Sequence, residues 1–283
     1  MAEVGVLEGV LRRDRVITFA ALLVLSLAAW AYVIAGAGMG APAWRMTTFG
    51  LPPALLGGEP AATAAGMPGM AAASTQATWE PQRFLLLIVM WWSMMVAMMV
   101  PSAAPMVLLY ARVARGAHGV GRERAPGRSG WFVAGYLAVW LGFSLAAAAL
   151  QEGLVRLAWI SPGLMQGLTR EFAAGVLLLA GLYQISPVHD VCLSRCRWPG
   201  TFLAQHYRPG VAGALNLGLR HGAYCVGCCW LLMALLFVGG VMNLVWIAAL
   251  TALVAAEKLL PAGRWIGRAA GAGLIAWGLL LLV

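Results

Sequence analysis

All five cysteines of this 283-residue chain fall between positions 192 and 229; His206 and His221 fall there too, and His189 lies three residues before. The fourth histidine, His118, sits in a basic loop and reads as a solvated side chain. Two groups stand out. In His221-Gly-Ala-Tyr-Cys225-Val-Gly-Cys228-Cys229, helical spacing puts the imidazole and three sulfurs within a face of ~100°. In Ser186-Pro-Val-His189-Asp190-Val-Cys192-Leu-Ser-Arg-Cys196-Arg-Trp-Pro199, Ser186 fits an N-cap, Pro187 a first helical position and Asp190 a first-turn acid. Trp198-Pro199-Gly200 would stop that helix, and His189, Cys192 and Cys196 then share a face of ~60°. Thiolate with imidazole suits Cu(I) or Zn(II). Arg195 and Arg197 lie beside Cys192 and Cys196 and would favour thiolate there. A disulfide framework would leave one of five cysteines over. Buried cysteines also occur simply as small apolar residues, a reading that fits Cys229 best.

A second sulfur source is the run from Phe84 to Tyr110, which carries Met90, Met94, Met95, Met98, Met99 and Met106. Met90, Met94 and Met98 form one stripe ~80° wide, and Met95, Met99 and Met106 an adjacent one. Thioethers four residues apart can share one soft ion, and Cu(I) is the biological cation that best accepts thioether together with thiolate. Methionine is also a common filler of gaps between helices, so packing is the competing explanation. Pro101 and Pro105 should break or kink the inner half of this helix. Met39, Met46, Met67 and Met70 lie in the loop that precedes it and are weak evidence singly.

The elements that must hold these side chains are membrane helices. The chain is 62% hydrophobic and 10% charged. A soluble domain carries about a quarter charged residues, so a soluble enzyme is excluded. Seven apolar stretches approach the ~20 residues a span needs. They are 16–36, 84–110, 131–154, 172–186, 213–240, 244–260 and 269–283, of which the fourth and seventh are short. With the N-terminus inside, Arg12, Arg13, Arg15, Arg112, Arg115, Arg122, Arg124, Arg128, Arg195, Arg197, Arg208, Arg220, Lys258, Arg264 and Arg268 face the cytoplasm. Only Arg45, Arg83, Arg156 and Arg170 face outward. The net charge of +9 is thus an orientation signal and not a nucleic-acid surface. The expected fold is all-α and polytopic, with about seven transmembrane helices, a cytoplasmic N-terminus and a periplasmic C-terminus. It is a single membrane domain over 1–283. Residues 1–36 form a tail and an uncleaved first span, 37–82 an irregular Ala/Gly/Pro-rich loop, and 84–283 a Met/Cys-rich core of six helices. Glu257, inside the sixth stretch, is a candidate proton or ion site or else an interfacial acid.

Three passages resemble a known family: Trp91-Trp-Ser-Met-Met-Val-Ala-Met-Met-Val-Pro101, Cys192-Leu-Ser-Arg-Cys196-Arg-Trp-Pro199 and Tyr224-Cys-Val-Gly-Cys-Cys-Trp-Leu-Leu-Met233. Met242-Asn-Leu-Val-Trp246 and Glu257-Lys-Leu-Leu-Pro261 are similar to it as well. It is a bacterial family described only as predicted metal-binding integral membrane proteins, and the likeness covers about residues 84–283. The resemblance implies a helical inner-membrane protein with metal ligands among these Met and Cys positions, and no established reaction.

The residues themselves then support a graded expectation. Met90, Met94, Met95, Met98 and Met99 would bind copper in the outer half. His189, Cys192, Cys196, His221, Cys225, Cys228 and Cys229 would bind it in the inner half, and the ion would move by ligand exchange. Copper is the expected metal and zinc the second candidate. No catalytic residue is assigned, and without a phosphate loop or phosphorylated-Asp motif any transport is passive or ion-coupled. One alternative is a membrane thiol–disulfide oxidoreductase using Cys225-Val-Gly-Cys228 with Cys192 and Cys196. Another is an assembly factor that delivers copper to a copper-binding protein or a larger membrane enzyme. Lipid and metal ion are the expected partners, and the bacterial inner membrane the expected location.

Overall fold

The computed structural model describes residues 2–47, 81–116, 125–160, 165, 167 and 169–283. Within them the regular structure is helical, apart from one isolated bridge between Ile160 and Gly167. The helices are α1 (Ala2–Ile34), α2 (Pro81–Gly116), α3 (Ala125–Arg156), α4 (Arg170–Gln184), α5 (Pro187–Arg197), α6 (Pro199–His206), α7 (Gly210–Ala234), α8 (Leu236–Gly239), α9 (Leu244–Leu259) and α10 (Gly263–Leu280). His118, Met67 and Met70 lie outside the described residues. So does most of the loop 37–82; its beginning forms turns and a short 3-10 helix over Ala43–Arg45.

Four helical segments are long and apolar enough to cross a membrane: Val16–Ile34, Pro81–Ala114, Arg128–Arg156 and Gly210–Gly239. A fifth is possible if α4 and α5, bent by 63° at Ile185–Ser186, count as one broken span. α4 has 15 residues and α9 has 16, so each rises only about 22–24 Å and falls short of the ~30 Å hydrocarbon core. Seven apolar stretches therefore correspond to four or five candidate spans. The first of them leaves Val16, Ile17, Phe19, Leu23, Val24 and Leu27 exposed, an outer surface that suits lipid.

Close backbone contact fixes the centre. α3 lies against α7, α2 against both α1 and α3, and α4 against α10. At the α3–α7 crossing a Cβ on Gly218 would sit 2.0 Å from the Phe132 carbonyl oxygen, and one on Gly135 would sit 2.4 Å from that of Leu215. Only glycine admits this approach, the usual device by which membrane helices pack without a hydrophobic driving force. α2 runs unbroken through Pro101 and Pro105, contrary to the break the prolines predict. Each proline removes one backbone bond, leaving the Ala97 and Pro101 carbonyls without their helical donors. Beside them the Met99 carbonyl accepts from the Ser102 hydroxyl of α2 at 2.9 Å and from the Tyr136 hydroxyl of α3 at 3.3 Å.

The short helix before the second cysteine group forms as its sequence predicts. Ser186 caps it by accepting from the His189 amide at 3.2 Å, Pro187 occupies its first turn, and it ends at Trp198. α6 then starts directly at Pro199.

Candidate metal centre

α7 gathers three sulfurs by its own geometry. The Cys228 and Cys229 thiols both donate to the Cys225 carbonyl, at 3.1 and 2.9 Å. Residues three and four positions on from Cys225 lie over the preceding turn, so all three side chains converge on one side of the helix. All three are buried. α5 adds a fourth sulfur: Cys196, half-buried, packs against the cluster that holds Cys225, Cys228 and Cys229. Its neighbour Cys192 approaches α7 at Gly227, where a Cβ would lie 3.0 Å from the Cys192 sulfur. The five cysteines are free.

The methionine helix meets this cluster directly. The Cys229 thiol points at the Met99 sulfur at 3.9 Å. Met90, Met94, Met95, Met98 and Met99 are buried and belong to the same apolar cluster as Cys225, Cys228 and Cys229. Met106 belongs to a different cluster, with Tyr110, Phe132 and Phe202. The second methionine stripe is thus split between two environments. Of the loop methionines, Met46 is buried in, and Met39 packs against, the cluster that holds Met90–Met99.

Sequence reasoning missed the group at the centre of the pocket. Lys258 is buried, and its ammonium lies 3.0 Å from the Cys225 sulfur, 3.9 Å from the Met99 sulfur and 3.5 Å from the Ser102 hydroxyl. Counting it among the inner-face charges is therefore a correction. The only signal was a lysine with no room to leave an apolar run. Tyr136, also missed, brings its hydroxyl to 3.1 Å from the Cys225 sulfur. The two arginines expected beside the thiols point elsewhere. Arg195 donates to Gln205 at 2.8 Å, and Arg197 to the carbonyls of Leu260 and Pro261 at 2.9 and 2.6 Å. The cation at the thiols comes from α9, not from α5.

The histidines part from the sulfurs. His221 is buried and stacks on Tyr136 with ring centroids 5.8 Å apart, so it stands behind the side chain that touches Cys225. His189 faces Glu257, with Nε2 3.7 Å from Oε2. His206 bonds within α6, its Nδ1 lying 2.9 Å from the Phe202 carbonyl oxygen. Among the described residues, no three His, Cys, Asp or Glu side chains are arranged as a finished coordination shell. What the pocket offers is a set of soft donors, three buried thiols, a half-buried one and a thioether, with one ammonium among them.

A family model described as PpoB2, copper chaperone, matches residues 88–281. The chain belongs to the PpoB2 copper chaperone family. The match spans Met90 to Lys258, every residue of the pocket, and replaces the general metal-binding expectation with copper. The first span and the loop after it lie outside the match, as they lie outside the resemblance read from sequence. No curated protein and no solved structure matches the chain. For a copper chaperone, the ion is cargo.

Proposed function

We propose that this copper chaperone carries Cu(I) in the pocket where α2, α5, α7 and α9 meet, and passes it by ligand exchange between methionine and cysteine. The carrying observation is a run of three contacts: the Lys258 ammonium 3.0 Å from the Cys225 sulfur and 3.9 Å from that of Met99, and the Cys229 thiol 3.9 Å from the Met99 sulfur. Cys196, Cys225, Cys228 and Cys229 with Met99 are the donors. Sulfur atoms of this kind select Cu(I) over hard divalent ions. The buried methionines Met90, Met94, Met95 and Met98 supply weaker sites further along α2, so an ion entering from that end is never bare. Met99 joins the two sets.

Orientation follows from the charge bias: α2 begins outside and ends inside, and α7 runs the opposite way. On that topology the thioethers lie outward and the thiols inward, in the bacterial inner membrane with about seven crossings, three of them short or broken. Copper then moves toward the tighter thiol sites and leaves to a copper-binding acceptor.

The test is Cu(I) titration of reduced, purified protein against a chromophoric Cu(I) chelator. One tightly held equivalent is expected in the wild type and none in Cys225→Ser/Cys228→Ser. In cells, Met94→Leu/Met98→Leu should slow copper loading while leaving the equilibrium capacity intact. Equal copper retention by wild type and the double-cysteine variant would sink the reading. A redox-exchange role for the same thiols predicts instead a mixed disulfide trapped by Cys228→Ser, with no loss of copper capacity.

A further inference from the structure

Outside the thiol pocket, three buried polar side chains from three helices face one another: Glu257 of α9, His189 of α5 and Gln184 of α4. They are 2%, 1% and 1% exposed. Gln184 Nε2 donates to Glu257 Oε1 at 2.5 Å. The Gln184 Oε1 atom and both ring nitrogens of His189 have no hydrogen-bond partner among the described residues. His189 Nε2 is the unpaired atom recorded facing the carboxylate, a costly arrangement unless something sits between them, while Gln184 already bonds the carboxylate through its amide nitrogen.

The neighbouring cations are committed elsewhere. Lys258, next in sequence to Glu257, turns about 100° away on the helix and bonds Cys225. Arg264 and Arg268 reach Asp190, at 3.5 and 3.1 Å. The separation between His189 Nε2 and Glu257 Oε2 is 3.7 Å, too long for a hydrogen bond. Two ligands each about 2.0–2.1 Å from one tetrahedral ion stand roughly 3.3–3.4 Å apart, so a shared metal needs only a small inward movement. Gly267 of α10 closes the space: a Cβ there would lie 3.3 Å from Glu257 Oε1 and 3.5 Å from His189 Cε1.

We propose that His189, Glu257 and Gln184 form a second metal site, for a divalent first-row ion bound through nitrogen and oxygen, distinct from the sulfur pocket. Imidazole and carboxylate favour a borderline ion such as Zn(II) over Cu(I), and the Gln184 amide nitrogen holds the carboxylate in place. Two protein donors leave the remaining positions for water or a transferable ligand. The proposal does not depend on where Cu(I) binds.

Co(II) is the probe, because thiolate-bound cobalt shows an intense sulfur-to-metal charge-transfer band and nitrogen/oxygen-bound cobalt does not. The full-length, reduced protein in detergent should bind one Co(II) without that band, displaceable by Zn(II). Cys225→Ser/Cys228→Ser should leave this binding unchanged. Glu257→Gln and His189→Gln should each weaken it by at least about tenfold, the lower bound set by losing even an indirect ligand partner. Thermal melting and Cu(I) capacity of these two variants report whether they are folded, and Gln184→Leu gives a third, milder loss. Cobalt bound solely with the charge-transfer band, or binding unaffected by Glu257→Gln, would overturn the site. Absence of any Co(II) or Zn(II) binding by the wild type would also overturn it, leaving His189 and Glu257 as an ion pair only.

Discussion

Glu257 and Lys258 are adjacent in sequence, equally buried in effect, and serve two chemically opposite pockets. Lys258 brings positive charge to sulfur; Glu257 brings negative charge to nitrogen and oxygen. A helix turns ~100° per residue, so neighbours in sequence look into different compartments. The difference shows that burial alone does not set what a polar pocket binds. A cation among thiols balances the anionic complex that a soft monovalent ion forms with two thiolates. An anion beside an imidazole needs a cation of its own.

The largest expected effect isolates the sulfur side. Removing two ligands with Cys225→Ser/Cys228→Ser should lower Cu(I) affinity by about 100-fold or more, above the 10–100-fold that loss of outer partners costs. Chelator competition measures it, and Co(II) binding at the other pocket should be untouched. A parallel loss at both pockets would break the comparison. The next effect concerns charge. Two thiolates with Cu(I) carry one net negative charge, which the Lys258 ammonium cancels, whereas two thiolates with Zn(II) are already neutral. Lys258→Met should therefore shift the preference of the pocket from Cu(I) toward Zn(II), by roughly tenfold, since a charge in a low-dielectric site is strongly felt. Paired Cu(I) and Zn(II) titrations decide it; an unchanged ratio would mean the lysine is only packed there.

The all-helical class, the four longest apolar spans and the cap at Ser186 were legible because hydrophobic length and capping chemistry are local. The face shared by Cys225, Cys228 and Cys229 was legible for the same reason, being a matter of helical angle within one segment. What was not legible is which side chains cross between helices. His189 and Cys196 lie on one face of α5, yet the first reaches α9 at Glu257 and the second α7, because a narrow helix wedged between two neighbours splits even a 60° face. Lys258 was counted as an inner charge since composition cannot tell a snorkelling lysine from one turned inward. Met106 follows the same stripe as Met99, but its position almost two turns further along α2 takes it to another cluster.

That last contrast gives a smaller test within one helix. Met99→Leu removes the thioether that touches Cys229 and Lys258 while conserving volume, so stability should change by less than about 1.5 kcal/mol. Cu(I) affinity should fall several-fold. Met106→Leu, the same substitution among aromatic neighbours, should leave Cu(I) affinity alone. Equal effects would show that methionine on α2 acts through packing.

The smallest expected effect joins the two pockets. α5 carries Cys196 to the sulfur side and His189 to the carboxylate side, and its first turn is held by the Ser186 hydroxyl on the His189 amide. Ser186→Ala should cost about 1 kcal/mol of local stability, the usual worth of an N-cap. Spread over an 11-residue helix, that loss should weaken Cu(I) and Co(II) binding together, each by about fivefold or less. Loss at the Co(II) site alone would place the effect in the first turn, next to His189. It would also show that Cys196, near the far end of α5, is held by the thiols of α7 and not by the helix that presents it.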